Sequence, residues 1–126
     1  MQVHIEKRPL RSDARGWVFE PLEGGALGRF RNVHAVLSLP GTVRGNHFHR
    51  RGTEVLAVLG PARVRVEAAG EVRDHQVPAG EVWQFTFPPG VAHAVENAGE
   101  QPVFMVGFNT EAHDRAAPDT HPRALI

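Results

Sequence analysis

Short apolar runs separated by glycine- and proline-rich turns recur along this chain at intervals of about ten residues. The pattern predicts an edge strand and eight further short strands, over residues 3–5, 16–20, 30–39, 54–59, 62–68, 72–77, 82–87, 93–96 and 103–109. Short strands at this spacing are typical of a β-sandwich or a small β-barrel. The sequence therefore predicts an all-β fold.

The intervening segments carry other signals. Residues 9–16 are predicted to form a loop, and residues 23–28 a turn-rich bend, because glycine and polar residues dominate there. The tail, residues 110–126, is predicted to contain one helical turn around residues 111–116 and then to run extended. No repeat, low-complexity segment or internal linker interrupts the pattern.

Several predicted strands are apolar on more than one face. Residues 55–59 contain no polar side chain, so both faces of this strand are apolar. The pattern predicts a packed interior on one face and a second packed layer on the other. In residues 30–39, one face holds Val33, Ala35, Leu37 and Leu39 while His34 lies on the opposite face. Trp83, Phe85 and Phe87 alternate on one face of their strand, which indicates core or interface packing, and Gln84 faces the other way.

Composition sets further bounds. At 126 residues the chain is predicted to be one domain, residues 1–126, and its zero net charge without a dense basic stretch argues against nucleic acid as a partner. The absence of cysteine excludes disulfides and thiolate chemistry, and the absence of tyrosine excludes a tyrosine acid or base. The first twenty residues contain no apolar run, so we expect no signal peptide, no membrane segment and a cytoplasmic location.

Two stretches bring chemistry-bearing side chains together. His47 and His49 are two residues apart, so in a strand they point the same way, about 7 Å apart along the chain. Glu54 would face away on an unbroken strand, but Gly52 permits a turn after which Glu54 opens the neighbouring strand. His93 follows a Pro-Gly turn. Two imidazoles and a carboxylate can then converge with His93 as the fourth group.

These stretches resemble the two motifs of the cupin superfamily. Residues 41–60 match the first motif at Gly41, His47, His49 and Glu54, although Gly60 arrives one residue early. Residues 80–97 match the second at Pro88, Gly90, His93 and Asn97, although Gly80 lies two residues farther upstream than usual. The resemblance implies a jelly-roll β-barrel, also called a double-stranded β-helix. It also implies the homodimer that is common in the superfamily, which the apolar two-faced strands favour.

A metal ion is one interpretation of the four side chains. Three imidazoles and a carboxylate suit a borderline divalent ion such as Zn, Mn, Ni, Fe or Cu, so we predict His47, His49, Glu54 and His93 as its ligands. The alternative is a set of barrel histidines that are hydrogen-bonded to one another. Four such groups crowding an apolar interior favour the metal.

A second resemblance concerns the substrate. Residues 44–49 and the tail stretches 109–111 and 118–120 resemble cupins of surface-polysaccharide biosynthesis. These relatives include the carboxy-terminal cupin domain of capsular polysaccharide enzymes, which acts on a nucleotide-linked keto-sugar. They also include nucleotide-sugar 3,4-ketoisomerases, in which a His-Ala-His-Lys stretch is a metal-free acid and base. The resemblance implies a nucleotide-sugar isomerase or epimerase acting next to a keto group, or a relative that binds such sugars.

The two kinds of relative require different states of the same imidazoles. A histidine nitrogen bound to a metal cannot also accept a proton. If no metal binds, His47 and His49 become the candidate general bases, since their pKa values would lie near the working pH. Glu54 and His93 at ligand spacing favour the metal. The chain also departs from the deoxysugar 3,5-epimerases, which use a His-Asp pair and a tyrosine.

Other residues are candidates for substrate contacts. Arg44 is a candidate for a phosphate or carboxylate, Arg31 precedes the first motif, and Gln84 is a candidate for lining the cavity. His34 is a possible proton carrier; an ordinary exposed histidine is the alternative. Two other functions remain open at this point: a metal-dependent dioxygenase or isomerase of another small metabolite, and a non-catalytic cupin that binds a sugar or an acid.

Overall fold

The computed structural model describes residues 2–126, and β-strands dominate it. In chain order the strands are β1 His4–Arg8, β2 Leu10–Asp13, β3 Gly16–Phe19, β4 Asn32–Ser38, β5 Val43–Phe48, β6 Glu54–Leu59, β7 Ala62–Ala68, β8 Glu71–Val77, β9 Val82–Phe87, β10 Ala92–Glu96, β11 Val103–Asn109 and β12 His121–Pro122. A short 3-10 helix, Gly24–Arg29, lies between β3 and β4. Within the described residues no helix is long and apolar enough to cross a bilayer.

Two five-stranded antiparallel sheets face each other. The first sheet has the order β1-β9-β6-β11-β4, and the second has the order β12-β5-β10-β7-β8. From β4 onward the strands alternate between the two sheets, except that β7 and β8 are neighbours in the second sheet. Two antiparallel sheets connected in this way form a jelly roll. The predicted all-β fold is confirmed.

The core lies between the sheets. Leu56 and Val58 of β6 and Phe85 of β9 point inward from the first sheet, where they meet Val64 and Val95 of the second. Alternation along each strand produces this core, because successive side chains face opposite sides of a sheet. The hairpin β2–β3 packs on the outer face of the first sheet.

Aromatic contacts fix that hairpin. The Trp17 and Phe19 rings of β3 lie 5.5 Å and 6.4 Å from the ring of Phe104 on β11. The prediction of a loop over residues 9–16 is therefore wrong in part, since β2 occupies Leu10–Asp13. Its side chains are mostly polar and exposed, so β2 lacks the apolar alternation that identifies a strand.

The helical turn predicted around residues 111–116 does not form; the segment is a series of bends. Side-chain oxygens bind the backbone N–H groups that a helix would use: Asn109 Oδ1 accepts from the N–H of Glu111, and Asp114 Oδ1 from that of Ala116. Pro118 follows and cannot donate a backbone hydrogen bond. The bend predicted over residues 23–28 falls within the 3-10 helix.

Asn97 joins the two motifs at their far ends. Its side-chain amide is buried and donates to the carbonyls of Ser38 and Gln101, at 2.9 Å and 2.8 Å. Its backbone carbonyl accepts from the N–H of Gly41, and its N–H donates to Thr42. The end of the second motif is thereby hydrogen-bonded to the beginning of the first. These bonds fix the position at which β5 begins and the position at which β10 ends.

Candidate metal centre and cavity

Four side chains predicted from the sequence converge at one end of the barrel. His47 lies near the end of β5 and pairs in register with His93 of β10, while His49 follows directly after β5. The chain then turns through residues 50–53, and Glu54 begins β6 in the opposite sheet. The backbone N–H of Gly90 donates to the carbonyl of His49 at 2.7 Å, which ties the Pro-Gly turn before His93 to the first motif.

The ligand-type atoms of the four residues form a tight cluster. One atom from each of His47, His49, Glu54 and His93 lies within 4.8 Å of the others. Oε2 of Glu54 lies 2.7 Å from Nε2 of His93 and 3.4 Å from Nε2 of His49. Glu54 and His93 are buried, whereas His47 and His49 are half-buried. The imidazoles of His47 and His49 are therefore the more accessible part of the cluster.

Three atoms at the centre of the cluster lack hydrogen bonds. Nε2 of His49, Nε2 of His93 and Oε2 of Glu54 are buried, and none has a hydrogen-bond partner within the described residues. Nε2 of His93 and Oε2 of Glu54 are 2.7 Å apart, which is short enough for an ion pair, but the two groups are not aligned as a hydrogen bond requires. Buried polar atoms are nearly always satisfied in folded proteins. The three unpaired atoms, on nitrogen and oxygen donors, fit a divalent cation.

Packing and main-chain contacts orient the imidazoles. The ring of His93 stacks on Phe87 with a centroid distance of 4.1 Å and an interplanar angle of 5°, and its Nδ1 lies 3.3 Å from the carbonyl of Val91. Nδ1 of His49 lies 2.7 Å from the carbonyl of Asp119. Because a carbonyl oxygen only accepts, each Nδ1 carries a hydrogen, and Nε2 is the ring nitrogen that faces the cluster.

The cluster has an uneven charge distribution. Burial opposes ionisation of Glu54, but the His49 and His93 imidazoles outweigh it and lower the pKa of the carboxyl below its usual range. Burial, helped by the nearby His93, lowers the pKa of His47 to about 4. Burial also disfavours the charged form of His49, yet Glu54 and Asp119 outweigh it and raise that pKa. At neutral pH the site thus has an anionic carboxylate and an unprotonated His47, both in states that bind cations.

A cavity of about 400 Å³ opens above the cluster. Its lining includes Asn32, His34, Asn109, Glu111, His113 and Thr120, in addition to three of the four clustered residues. Of these six residues, only His34 was predicted from the sequence as a site residue. Asn109, Glu111 and Thr120 belong to the tail stretches that resemble surface-polysaccharide cupins, but no role was assigned to them. In the structure Asn109 lies opposite both Asn32 and Glu54.

His34 is close to the cluster but outside it. Its Nε2 lies 3.7 Å from Oε1 of Glu54, and its side chain is 43% exposed to the cavity and solvent. The ring lies over Gly107 of the neighbouring strand, at a place that a β-carbon on residue 107 would occupy. Glycine at position 107 therefore makes room for this imidazole.

The other predicted contacts lie away from the cavity. The Arg44 side chain points to the opposite end of β5, where it lies 3.4 Å from Oγ of Ser38. Arg31 donates to the carbonyls of Gly28 and Phe30. Gln84 is buried on the far side of the first sheet from the core and donates to Glu6. The structure does not bring these three side chains together with the imidazoles.

Known proteins of similar sequence and fold come from sugar metabolism. The spore coat polysaccharide biosynthesis protein SpsL of Bacillus subtilis is 24% identical over 127 residues, covering 93% of this chain and 84% of SpsL. The capsular polysaccharide assembling protein CapF of Staphylococcus aureus superposes with a TM-score of 0.68 at 24% identity, covering 94% of this chain and 33% of CapF. This chain thus spans about a third of the length of CapF.

A second similar structure is that of an enzyme with its ligand. ChmJ, a 3'-monoepimerase from Streptomyces bikiniensis in complex with dTDP-quinovose, superposes with a TM-score of 0.74 at 15% identity, covering 95% of this chain and 68% of ChmJ. Such superpositions confirm the predicted jelly-roll fold. The model of the family described as the polysaccharide biosynthesis C-terminal domain matches residues 11–121. Because that match covers most of the sequence, this chain belongs to the polysaccharide biosynthesis C-terminal domain family.

Proposed function

We propose that this chain binds one divalent metal ion through His47, His49, Glu54 and His93 and acts on a nucleotide-linked sugar. The proposed reaction is an isomerisation or epimerisation next to a keto group. The observation that carries the proposal is the convergence of these four side chains, with three unpaired buried atoms, at the floor of an open cavity.

The donor set supports the metal. Three imidazole nitrogens and one carboxylate oxygen suit Zn, Mn, Ni or Fe, and the anionic Glu54 supplies the negative charge that favours a cation in a buried site. When bound, such an ion polarises a carbonyl oxygen and so lowers the barrier to removing a proton from the adjacent carbon. The residues of the chain then hold the ion, orient the substrate and move the proton.

The cavity lining supports a sugar ring as the group that enters. Amide, imidazole and hydroxyl groups from Asn32, Asn109, His113 and Thr120 offer hydrogen bonds to ring hydroxyls. Among the residues described as lining this cavity there is no lysine or arginine, and Glu111 contributes a carboxylate. A phosphate would be repelled there, so the nucleotide diphosphate is expected to remain outside the cavity. The dTDP-sugar bound to ChmJ and the family of polysaccharide biosynthesis domains agree with this class of substrate.

His34 is the proposed proton carrier. It lines the cavity, lies beside Glu54 without belonging to the cluster, and is neither buried nor held as a ligand. Replacing His34 with glutamine should slow proton exchange about 100-fold or more, since general acid–base catalysis typically contributes that much. The measurement is deuterium incorporation from D2O into a dTDP-linked 4-keto sugar next to its carbonyl.

The matched control for His34 is His4→Gln, which changes an exposed imidazole on β1 that does not line the cavity. The control is expected to retain most of the exchange rate, and both variants should retain the metal. An exchange rate for His34→Gln equal to that of the wild type would remove His34 from the mechanism. If exchange then proceeds without metal, His47 and His49 become the bases instead.

The same assay separates this function from its two alternatives. Tight binding of the nucleotide sugar without deuterium exchange would indicate a non-catalytic binding cupin. Bound iron together with oxygen consumption in the presence of a small metabolite would indicate a dioxygenase. No feature of the cavity favours either alternative over the keto-sugar reaction.

We also propose that the chain forms a homodimer. The outer face of the edge strand β4 and the segment after it expose Val33, Leu37 and Leu39, each more than half exposed. An apolar face of this kind on an edge strand favours association with a second surface. Sedimentation analysis at micromolar concentration is expected to give twice the chain mass of 13.8 kDa. A monomer would contradict this prediction.

A further inference from the structure

The tail stretch that resembles surface-polysaccharide cupins contacts the candidate metal centre through one residue, Asp119. Its backbone carbonyl lies 2.7 Å from Nδ1 of His49. Because the carbonyl only accepts, this contact selects the tautomer with hydrogen on Nδ1 and leaves Nε2 free to face Glu54. Nε2 of His49 is one of the three unpaired buried atoms of the cluster.

The side chain of Asp119 holds a different part of the same site. Its carboxylate accepts hydrogen bonds from the backbone N–H groups of Arg50, Arg51 and Gly52, at 3.0 Å, 2.9 Å and 2.9 Å. These residues form the turn between His49 and Glu54. Hydrogen bonds to a charged acceptor are stronger than neutral ones, and three converge here. One residue therefore fixes both the ring of His49 and the turn that places Glu54 opposite it.

The segment that follows Asp119 is anchored by backbone and side-chain contacts of its own. Residues 121 and 122 form β12, which pairs with Phe48 and His47 of β5. Farther along, Oδ1 of Asn46 accepts from the N–H groups of Leu125 and Ile126, at 2.9 Å and 3.1 Å. Asn46 has a positive φ of 56°, an uncommon conformation that asparagine tolerates better than most residues. The segment is thus tied down on both sides of β12.

Side chains beyond Asn46 add to this anchoring. The guanidinium of Arg123 makes two hydrogen bonds to the carboxylate of Glu67, at 2.8 Å and 2.9 Å. Nη1 of Arg65 donates to the carbonyl of Leu125 at 2.9 Å. Held at several points along its length, the segment presents the Asp119 carbonyl to His49 at a defined position.

We propose that Asp119 is a positioning residue for the metal centre: it fixes the His49 ring through its carbonyl and the turn between His49 and Glu54 through its carboxylate. The proposal rests on the proposed metal site for its effect on affinity, but its effect on the His49 ring is independent of any metal. Side chains that orient metal ligands typically change metal affinity by 10- to 100-fold.

The test compares Asp119→Ala, Asp119→Asn and the control Asp114→Ala. The carboxylate of Asp114 also lines the cavity, but its described backbone bond is to Ala116, so its removal should leave the centre intact. Two quantities are measured: the affinity for Zn²⁺ by chelator competition, and the tautomer of His49 in the metal-free protein by long-range ¹H–¹⁵N NMR. The NMR is recorded at about pH 9, where histidine is normally neutral.

The proposal predicts that Asp119→Ala, which removes the carboxylate but keeps the backbone carbonyl, weakens Zn²⁺ binding 10- to 100-fold. Asp119→Asn, which keeps an acceptor oxygen, should have a Zn²⁺ affinity between those of Asp119→Ala and the wild type. The wild type and both variants should show a single Nδ1–H tautomer of His49, because the carbonyl contact does not depend on the side chain. A residue important only for stability would lower the unfolding free energy and leave the Zn²⁺ affinity of the folded protein unchanged. If Asp119→Ala does not fold, Asp119→Asn decides the question.

Failure of this proposal and failure of the metal site are distinguishable. If the wild type binds no Zn²⁺, the metal site fails, and the tautomer measurement alone decides the role of Asp119. A metal-free wild type in which Nε2 and not Nδ1 of His49 carries the hydrogen would overturn the carbonyl contact, and Zn²⁺ affinity within twofold of the wild type in folded Asp119 variants would overturn the role of the carboxylate.

Discussion

Replacement of Glu54 by glutamine is expected to weaken metal binding more than 100-fold, because the substitution removes the only carboxylate of the four-residue cluster. Loss of an outer contact typically weakens binding 10- to 100-fold, so loss of a charged ligand should exceed that range. The glutamine has nearly the same shape, so the change isolates charge and donor strength from packing. The measurement is chelator competition for Zn²⁺ with the wild type and the variant side by side.

The control for this prediction is Glu111→Gln, which neutralises another carboxylate in the cavity lining. Glu111 is 43% exposed at its side chain and bonds to Arg51 rather than to the imidazoles. Its removal should change the metal affinity less than threefold. Equal losses for the two variants would mean that the cavity attracts cations through its overall charge and not through the cluster.

Phe87→Ala is expected to destabilise the metal-free protein by about 3–5 kcal/mol, the usual cost of removing a buried phenylalanine ring. Phe87 is 1% exposed, stacks on the ring of His93 and lies next to Phe85. The cavity that remains would also release the His93 ring, so metal affinity should fall together with stability. Urea denaturation monitored by tryptophan fluorescence gives the free energy of unfolding.

A matched apolar control is Val72→Ala, since Val72 is 52% exposed on β8 and lies outside the proposed dimer surface. Its effect on the free energy of unfolding should be less than about 1 kcal/mol, as is usual for exposed positions. A loss below about 1 kcal/mol for Phe87→Ala would show that the ring is not the packing partner of His93 that the structure describes.

The convergence of the four clustered side chains was predictable in part from short-range rules. Alternation in extended backbone places His47, in β5, and His49, just after it, on one face. The chain then turns before Glu54 as expected, but Gly52 does so without a positive φ, and its missing β-carbon leaves room for the side chain of Asn109. The pairing of His93 with His47 is a long-range contact between β10 and β5, which only the resemblance to the two cupin motifs suggested. Whether these residues bind a metal stays a prediction.

The cavity walls were not predictable in the same way. Asn32, Asn109 and His113 belong to separate segments, and only the pairing of β4 with β11 and the course of the tail bring them to the cluster. The pattern of residues 111–116 favoured a helix locally, but acceptors on Asn109 and Asp114 bound the backbone instead. Long-range strand pairing and side-chain capping determined these parts of the structure. Neither interaction produces a periodic pattern of apolar residues that can be recognised in the sequence.

The contact of Asp119 with His49 spans 70 residues of sequence. The contact uses a backbone carbonyl, which every residue has, so the residue type at position 119 does not predict it. The second contact does depend on the residue type, because the carboxylate of Asp119 accepts hydrogen bonds from the turn at residues 50–52. Only the fold shows that both contacts belong to one residue.

The most direct test of the metal site is elemental analysis by plasma mass spectrometry of protein purified without an affinity tag. We expect close to one equivalent of zinc, manganese, nickel or iron per chain, held by His47, His49, Glu54 and His93. Less than about a tenth of an equivalent, even after incubation with each ion in turn, would contradict it. In that case His47 and His49 would be the acid and base of a metal-free keto-sugar isomerase.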